Sequence, residues 1–278
     1  MAAPQPARPD HAGSLLDLLA LEPLDRDLFR ATAVIDETVP LYGGQVAAQA
    51  LHAAGQTVPE GRVPHSLHGY YLRGGDASHP TLFRVDRDRD GRSFSARRVV
   101  AVQNGEVIFN MSTSFHAPEP GLDRQVEPAP AAGDPDRLPP MVLPRLLSME
   151  GRIPAQPHDV AHWPTRFWSR CTLPLPDDPL LHACALTYLS DILTGLSPLQ
   201  EDDWGGGSSL DHAVYFHRPA RMDRWVLIDL VPHSVAGGRG WYTGTVHGVD
   251  GVLAASITQE TLFRRGLGWP RTGSPQEG

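Results

Sequence analysis

The chain has 278 residues, of which 41% are hydrophobic, enough for one large core or two ordinary ones. Its net charge is −8, and its 24 basic residues are all arginines that form no basic run, which argues against nucleic-acid binding. The sequence holds neither the apolar core of a signal peptide nor the roughly 18 apolar residues of a membrane span. We therefore expect a cytoplasmic protein of two domains that binds neither nucleic acid nor a membrane.

The cysteines and histidines follow no metal-binding pattern. Cys171 and Cys184 form no CxxC or His/Cys ligand spacing, and the thirteen histidines form no HExxH pattern. No disulfide, metal or cofactor is therefore predicted, and the two cysteines are predicted to be small buried side chains.

The first half of the chain predicts one helix and four strands. The segment LYGGQVAAQALHAAG, residues 41–55, is a predicted helix entered through Gly43 and Gly44. Residues 65–73 predict a strand, and three strand-like runs follow up to residue 117. The runs are joined by Asp-Gly at residues 90–91 and Asn-Gly at residues 104–105, which are strong hairpin signals.

The second half repeats this order. The stretch LLHACALTYLSDILTGL, residues 180–196, is apolar nearly all round apart from Asp191, which predicts a buried helix. The glycine-rich loop DDWGGGSS is predicted to lead into a strand that begins at Ser209. Three strand-like runs between residues 224 and 265 complete the repeat.

This repeat predicts the domain boundaries. A helix followed by an antiparallel meander, occurring twice, suggests a sheet wrapped around a helix, at residues 13–118 and 165–266. The proline-rich residues 119–164 predict a linker that covers surface without forming a core. Residues 1–12 and 267–278 have the Pro, Gly, Ser and charge content of disordered tails.

Three polar residues stand where a buried site could be built. Asp191 lies on the second helix, Ser209 starts a strand, and Gln259 shares a face of the last strand with Ile257 and Thr261. If that face lies against the helix, Ser209 and Gln259 can donate hydrogen bonds while Asp191 takes a proton from water. A buried carboxylate needs either hydrogen-bond donors around it or a catalytic role, so the pattern leaves open whether Asp191 is catalytic or structural.

The alternatives for the other polar residues are ordinary ones. Ser209 alone is an unremarkable strand-start serine, and Gln259 alone is an equally weak signal. The absence of a GxSxG motif disfavours a serine nucleophile. Four histidines are predicted to be strand residues, namely His65, His68, His212 and His217.

Six motifs occur in order along the chain: LYGGQVAAQAL, HSLHGYYLRGGD, GRSFSARRVVAVQNGEVIF, TYLSD, SLDHAVYFHRP and DGVLAASITQE. Together they resemble the type II acyl-CoA thioesterases over roughly residues 14–264. The resemblance implies an α+β double hot-dog fold, with two antiparallel sheets, each wrapped around a long central helix, joined into one continuous sheet. It also implies hydrolysis of an acyl-CoA thioester to a free acid and CoA, with Asp191, Ser209 and Gln259 as the catalytic set.

On this reading Asp191 deprotonates the attacking water while Ser209 and Gln259 hold it. The helix opened by Gly43, Gly44 and Gln45 offers N–H groups to a developing oxyanion, although the glycines could instead serve only tight packing. The candidates for binding CoA phosphates are Arg73, Arg97, Arg98 and Arg239, each of which could instead be a solvated strand arginine.

Two other functions stay open at this point. One is a non-catalytic acyl-CoA binding module. The other is a hot-dog (R)-enoyl-CoA hydratase, which would place an Asp and a His on one loop, and the residues next to Asp191 offer no such His. The expected partners are the acyl-CoA substrate and further copies of the chain, as a dimer or higher homo-oligomer.

Overall fold

The computed structural model describes residues 13–32, 40–143, 146–159, 163–201 and 203–267. The helices within these ranges are α1 (Leu15–Leu19), α2 (Gly43–Gly55) and α3 (Pro179–Ser190). The strands are β1 (Leu21–Asp25), β2 (Leu28–Ala31), β3 (Val63–Tyr71), β4 (Thr81–Asp90), β5 (Phe94–Gln103), β6 (Glu106–His116), β7 (Pro140–Met141), β8 (Met149–Arg152), β9 (Arg166–Cys171), β10 (Trp204–Ser209), β11 (Asp211–Phe216), β12 (Val226–Ala236), β13 (Arg239–Gly248) and β14 (Leu253–Arg265).

The described strands form one large antiparallel sheet. Its order is β1-β2-β4-β5-β6-β3-β11-β14-β13-β12-β9-β8-β7, and β10 pairs with the end of β14. The two halves of the chain meet where β3 pairs with β11, from Tyr70 opposite Asp211 to Ser66 opposite Tyr215. The predicted antiparallel sheet is therefore present.

The Asn-Gly turn at residues 104–105 has the positive φ angles expected of it, whereas neither Asp90 nor Gly91 has a positive φ at the turn between β4 and β5. Asn104 and Gly105 connect β5 to β6 with φ angles of 49° and 81°, and Gly251 stands before β14 with φ of 79°. Positive φ is tolerated by Asn and costs Gly nothing, so these dipeptides close tight turns. The strands predicted on either side of these turns are confirmed.

The two longer helices lie against each other, and α2 also packs on β3, β4, β5 and β6. The packed face of α2 is built largely from alanine, and Ala47, Ala48, Ala50, Ala53 and Ala54 have no exposed surface. Small side chains let the α3 backbone approach closely, which brings the end of α3 to the start of α2.

The second helix is shorter than predicted. It ends at Ser190 with Asp191 as the capping residue, whereas the apolar pattern predicted a helix through Leu196. The Tyr242 hydroxyl and the Thr194 N–H both donate to the Ile192 carbonyl oxygen, at 3.2 Å and 2.8 Å. In a continuing helix the Thr194 N–H would bond the Ser190 carbonyl, but here it bonds only two residues back, so the chain turns after α3.

The glycine-rich segment before β11 is a strand instead of a loop. Ser209 ends β10 instead of starting a strand, and Leu210 separates β10 from β11. The register on β14 shifts between Gly206 and Ser209, and the Leu210 N–H donates to the Glu260 carbonyl at 2.8 Å. Glycines fit such an irregular pairing because they leave room for a bulge.

The proline-rich linker takes part in the core, contrary to expectation. It contributes β7 and β8 to the sheet edge, and the side chains of Met141 and Leu143 are buried. Trp168 and Trp225 anchor it further, since their indole N–H groups donate to the Ala132 carbonyl and to Asp136 at 3.2 Å and 3.0 Å. Strands of two and four residues are too short to show a period in the sequence, so they were not predicted.

The remaining predictions concern the chain ends and the cysteines. Residues 1–12 and 268–278 of the predicted tails lie outside the described residues. Both cysteines are buried and free, as predicted. No helix in the described part of the chain is long and apolar enough to cross a membrane.

Candidate active site

The Asp191 carboxylate is buried at the C-terminal end of α3. Only 1% of its surface is exposed. The C-terminal end of a helix carries a partial negative charge, and burial removes water from the carboxylate. Both effects disfavour the ionised form, so Asp191 depends on donors from other elements.

Two of those donors come from the residues that the sequence singled out. The Ser209 hydroxyl donates to Asp191 Oδ1 at 2.8 Å, and the Gln259 side-chain amide donates to the same oxygen at 2.6 Å. Gln259 Nε2 also donates to Ser209 Oγ at 2.8 Å. The end of β10, the middle of β14 and the end of α3 thus bring the three predicted side chains together.

The pKa of Asp191 is raised to about 7 from an ordinary 3.8. Burial is the dominant cause, and it outweighs the opposing effect of the donors Ser209, Gln259, Tyr71 and Gly44. The carboxylate therefore titrates near neutrality, which is the range in which a general base is most effective.

The N-terminus of α2 closes the other side of the carboxylate. A Cβ added to Gly43 would overlap Asp191 Oδ2 and lie 2.9 Å from the Tyr71 ring, so only glycine fits there. The Gly44 N–H and the Tyr71 hydroxyl both face the carboxylate and stabilise its charge. The Gln45 N–H instead donates to the Tyr42 carbonyl oxygen at 3.1 Å, inside the first turn of the helix.

Tyr71 stands out among these groups. Its hydroxyl is buried and faces Asp191, but within the described residues it makes no hydrogen bond of normal geometry. Burial raises its pKa well above the ordinary value, and the neighbouring Asp191 charge adds to this shift. The phenol therefore stays a neutral donor directed at the site.

Sequence reasoning placed His212 in a strand, correctly, but missed its place in the site. His212 is 1% exposed, with Nδ1 2.7 Å from Gln259 Oε1 and Nε2 2.7 Å from Ser190 Oγ. Burial lowers its pKa to about 4, although the Gln259 contact opposes this, so the imidazole is neutral. The alternation of residues along the strand could have predicted that His212 is buried, because it lies on the same inward face of β11 as the apolar Val214.

The candidate phosphate-binding arginines are all paired with acidic groups. The Arg97 side chain has no exposed surface. It donates to Thr57 and pairs with Asp90 at 2.7 Å. Its buried contacts are structural, so of the four candidates Arg97 is the least suited to bind a phosphate. The other three pairs are Arg73 with Glu106 at 3.2 Å, Arg98 with Asp88 at 3.3 Å and Arg239 with Glu260 at 2.8 Å. Among the described residues, no group of three or more His, Cys, Asp or Glu side chains could hold a metal ion.

Comparison with family models and curated proteins identifies the group to which the chain is related. The model of the acyl-CoA thioesterase N-terminal domain matches residues 36–116, and that of the acyl-CoA thioesterase C-terminal domain matches residues 114–263. The chain is 32% identical over 286 residues to acyl-CoA thioesterase 2 of Haemophilus influenzae, covering 92% of this chain and 98% of that protein. It is 33% identical over 279 residues to acyl-coenzyme A thioesterase 8 of Homo sapiens, covering 89% and 88%.

Solved structures agree with this relationship. The acyl-CoA thioesterase II TesB2 from Mycobacterium marinum has a TM-score of 0.76 at 38% identity, covering 91% of this chain and 98% of that one. A protein from Alicyclobacillus acidocaldarius described with a hot dog fold has a TM-score of 0.72 at 21% identity, covering 89% and 97%, which bears on the fold alone. Fold and site thus define a hot-dog protein with a buried, donor-held carboxylate. The chain belongs to the acyl-CoA thioesterase family, whose members are thioester hydrolases.

Proposed function

We propose that Asp191 is the general base with which this thioester hydrolase splits an acyl-CoA into a free carboxylic acid and CoA. The observation that carries the proposal is a buried carboxylate with a pKa near 7, held at Oδ1 by both Ser209 and Gln259. A carboxylate with an ordinary pKa would be a much weaker base at neutral pH. Positioned proton transfer of this kind contributes about 10²- to 10⁴-fold in rate.

The two oxygens of Asp191 have different surroundings, and this suggests their roles. Oδ1 is occupied by two side-chain donors, while Oδ2 lies at the start of α2, beside Gly43. In the proposed step Oδ2 takes a proton from water as the water oxygen bonds to the thioester carbonyl carbon. The C–S bond then breaks, and the proton held by Asp191 passes to the departing CoA sulfur. This reaction needs neither a metal ion nor a covalent enzyme intermediate.

The oxyanion that forms in this step needs donors. We place them at the N-terminus of α2, where the Gly43 N–H and the helix dipole favour negative charge, while the neighbouring Gly44 N–H faces the Asp191 carboxylate. Gln45 is a weaker candidate than the sequence suggested, since its N–H is engaged by the Tyr42 carbonyl. The neutral Tyr71 hydroxyl is an additional donor on this side.

The finer architecture is also part of the proposal. Each half of the chain would form one hot-dog unit, residues 13–118 around α2 and residues 165–266 around α3, with 119–164 as the linker. Two family models that meet near residue 115 support a division into two units, and the second model includes the linker residues. We further propose that the protein acts in the cytoplasm as a homo-oligomer, a dimer or higher, on an acyl-CoA substrate.

A thiol-trapping assay over a series of acyl-CoA chain lengths tests the function. A thioester hydrolase releases one free CoA thiol for each acid formed, with at least one chain length giving turnover far above the uncatalysed rate. A binding module would bind acyl-CoA without releasing thiol, and a hydratase would consume an enoyl-CoA with its thioester intact. Either of these outcomes would overturn the proposal.

A further inference from the structure

We propose that His212 is a positioning residue for the hydrolysis, acting as the neutral Nδ1–H tautomer that Ser190 holds in place. The inference rests on the proposed function, in which Asp191 is the base. In this arrangement His212 touches neither the water nor the substrate. It fixes the orientation of the Gln259 amide, and the amide in turn holds the carboxylate.

A continuous buried chain of hydrogen bonds carries this inference. Ser190 Oγ lies 2.7 Å from His212 Nε2, and His212 Nδ1 lies 2.7 Å from Gln259 Oε1. Gln259 Nε2 then reaches Asp191 Oδ1 at 2.6 Å. Ser190, His212 and Gln259 each have 1% of their surface or less exposed, so bulk water does not compete for these contacts.

The first step in the argument is the orientation of the amide. An ionised carboxylate accepts hydrogen bonds only, so the group of Gln259 that faces Asp191 must be its NH₂. The amide oxygen is then turned toward His212 and needs a donor there. A neutral imidazole can supply that donor only with its proton on Nδ1, which leaves Nε2 as an acceptor.

The second step fixes the direction of the Ser190 hydroxyl. Its oxygen lies near two acceptors, His212 Nε2 at 2.7 Å and the Thr187 carbonyl oxygen at 3.0 Å. If the hydroxyl proton pointed to Thr187, Nε2 would have to carry the imidazole proton. The bare Nδ1 would then face the Gln259 oxygen at 2.7 Å, a contact between two acceptors.

That unfavourable contact could be relieved only by rotating the amide, which would turn its oxygen toward Asp191. Such an arrangement suits a protonated Asp191 and not the ionised base. The tautomer of His212 is therefore coupled to the charge of Asp191 through Gln259. Loss of the His212 proton donor should leave the amide free to adopt the orientation that opposes ionisation.

The other titratable groups around Asp191 are phenols. Tyr71 from β3 and Tyr242 from β13 face the carboxylate, and burial raises the pKa of both well above the ordinary value. The hydroxyl of Tyr42 donates to the Tyr188 carbonyl at 2.9 Å, and the Tyr188 hydroxyl accepts from the Leu147 N–H at 2.9 Å. Tyr71 and Tyr242 stay neutral near pH 7 because burial raises the pKa of both, so a shift on the low-pH side of the activity profile reports Asp191.

Two substitutions of His212 separate positioning from packing. His212→Ala removes the donor to Gln259, whereas His212→Asn places an amide N–H near the position of Nδ1. We expect His212→Ala to lower kcat about 10- to 100-fold and to move the acid limb of kcat/KM to higher pH. His212→Asn should recover most of the rate and return the limb toward the parent position.

The matched control is His247→Asn, which replaces a buried strand histidine outside the site. His247 is 4% exposed on β13 and its Nδ1 has no hydrogen-bond partner within the described residues. This variant should keep the parent pH profile, and thermal unfolding of all variants checks that each is folded. The inference would be overturned if folded His212→Ala kept the parent acid limb of kcat/KM, or if both His212 variants lost the same factor in kcat.

Nitrogen NMR of the parent provides a second measurement that needs no His212→Ala protein. With histidine labelled at both ring nitrogens, and with the His212 signals assigned from their loss in His212→Asn, the shifts identify the protonated nitrogen. The expected result above pH 7 is an Nδ1–H imidazole, and an Nε2–H imidazole would contradict the proposal. Asp191→Asn tests the base separately: if it kept the parent rate, the proposed function itself would fail.

Discussion

Replacing Asp191 with asparagine should stabilise the protein while it removes most of the activity. A pKa of about 7 against an ordinary 3.8 means that ionised Asp191 costs the folded state about 4 kcal/mol relative to the protonated form. The pKa of Asp191 is higher in the folded state than in the unfolded state. The stabilisation provided by protonated Asp191 is therefore fully present below the unfolded-state pKa and is lost as the pH rises toward 7. Asparagine carries no charge at any of these pH values, so it avoids this loss.

The gain in stability from Asp191→Asn depends on pH, and this pH dependence is specific to the ionisation of Asp191. The difference in free energy of unfolding between Asp191→Asn and the parent should grow by about 2 kcal/mol from about pH 5.5 to about pH 8.5. Urea unfolding at the two pH values measures this difference. In the thiol-trapping assay the same variant should lose about 10²- to 10⁴-fold in kcat, since it has no base to accept the proton.

Asp211→Asn is the matched control for this experiment. Asp211 is a half-buried carboxylate at the start of β11, where its Oδ1 accepts from the Glu260 N–H at 2.8 Å, a contact that asparagine can keep. It should retain the parent rate. A folded Asp191→Asn protein with the parent rate would refute the catalytic role, and a stability difference that does not change with pH would refute the raised pKa.

Three further substitutions test neighbouring parts of the account. Ser209→Ala removes one donor to Asp191, so kcat should fall about 10-fold and the acid limb should move to higher pH; an unchanged profile would make Ser209 a structural hydroxyl. Gly43→Ala forces a methyl group against Asp191 Oδ2 and should lower kcat at least about 10-fold. Gly74→Ala, whose added Cβ would meet no atom within 4 Å, should not lower it. Arg97→Leu removes the buried guanidinium that donates to Thr57 and pairs with the partly exposed Asp90, and should destabilise the fold by about 1–3 kcal/mol, as read from urea unfolding. KM for acyl-CoA should stay unchanged; a raised KM would indicate that Arg97 binds the CoA phosphates.

The sequence predicted the central strands and the helix α2 because their patterns are local. The meanders have strand periodicity, and their Asn-Gly and Asp-Gly turns are recognised from two residues each. The edge strands β7 and β8 have two and four residues, too few for a period to be seen. Their formation depends on pairing with β9, which is information that a local pattern does not contain.

The site shows the same division between local and long-range information. The three residues Asp191, Ser209 and Gln259 were predicted as a group from their polarity at apolar positions and from the family resemblance. Their local structure was predicted less well, because α3 stops at Ser190 and the turn that follows it bonds to Tyr242 of a distant strand. His212 was missed because its partners Ser190 and Gln259 are 22 and 47 residues away, and only the fold brings them together.

The pH dependence of kcat/KM tests the central claim most directly, because it reports the ionisation of the base in the free enzyme. A carboxylate base with its pKa near 7 predicts a rate that rises with pH and reaches half its maximum near pH 7. The same acid limb should be absent from the residual rate of Asp191→Asn. A rate that is flat between about pH 5 and about pH 9 would contradict the claim that buried Asp191 is the base.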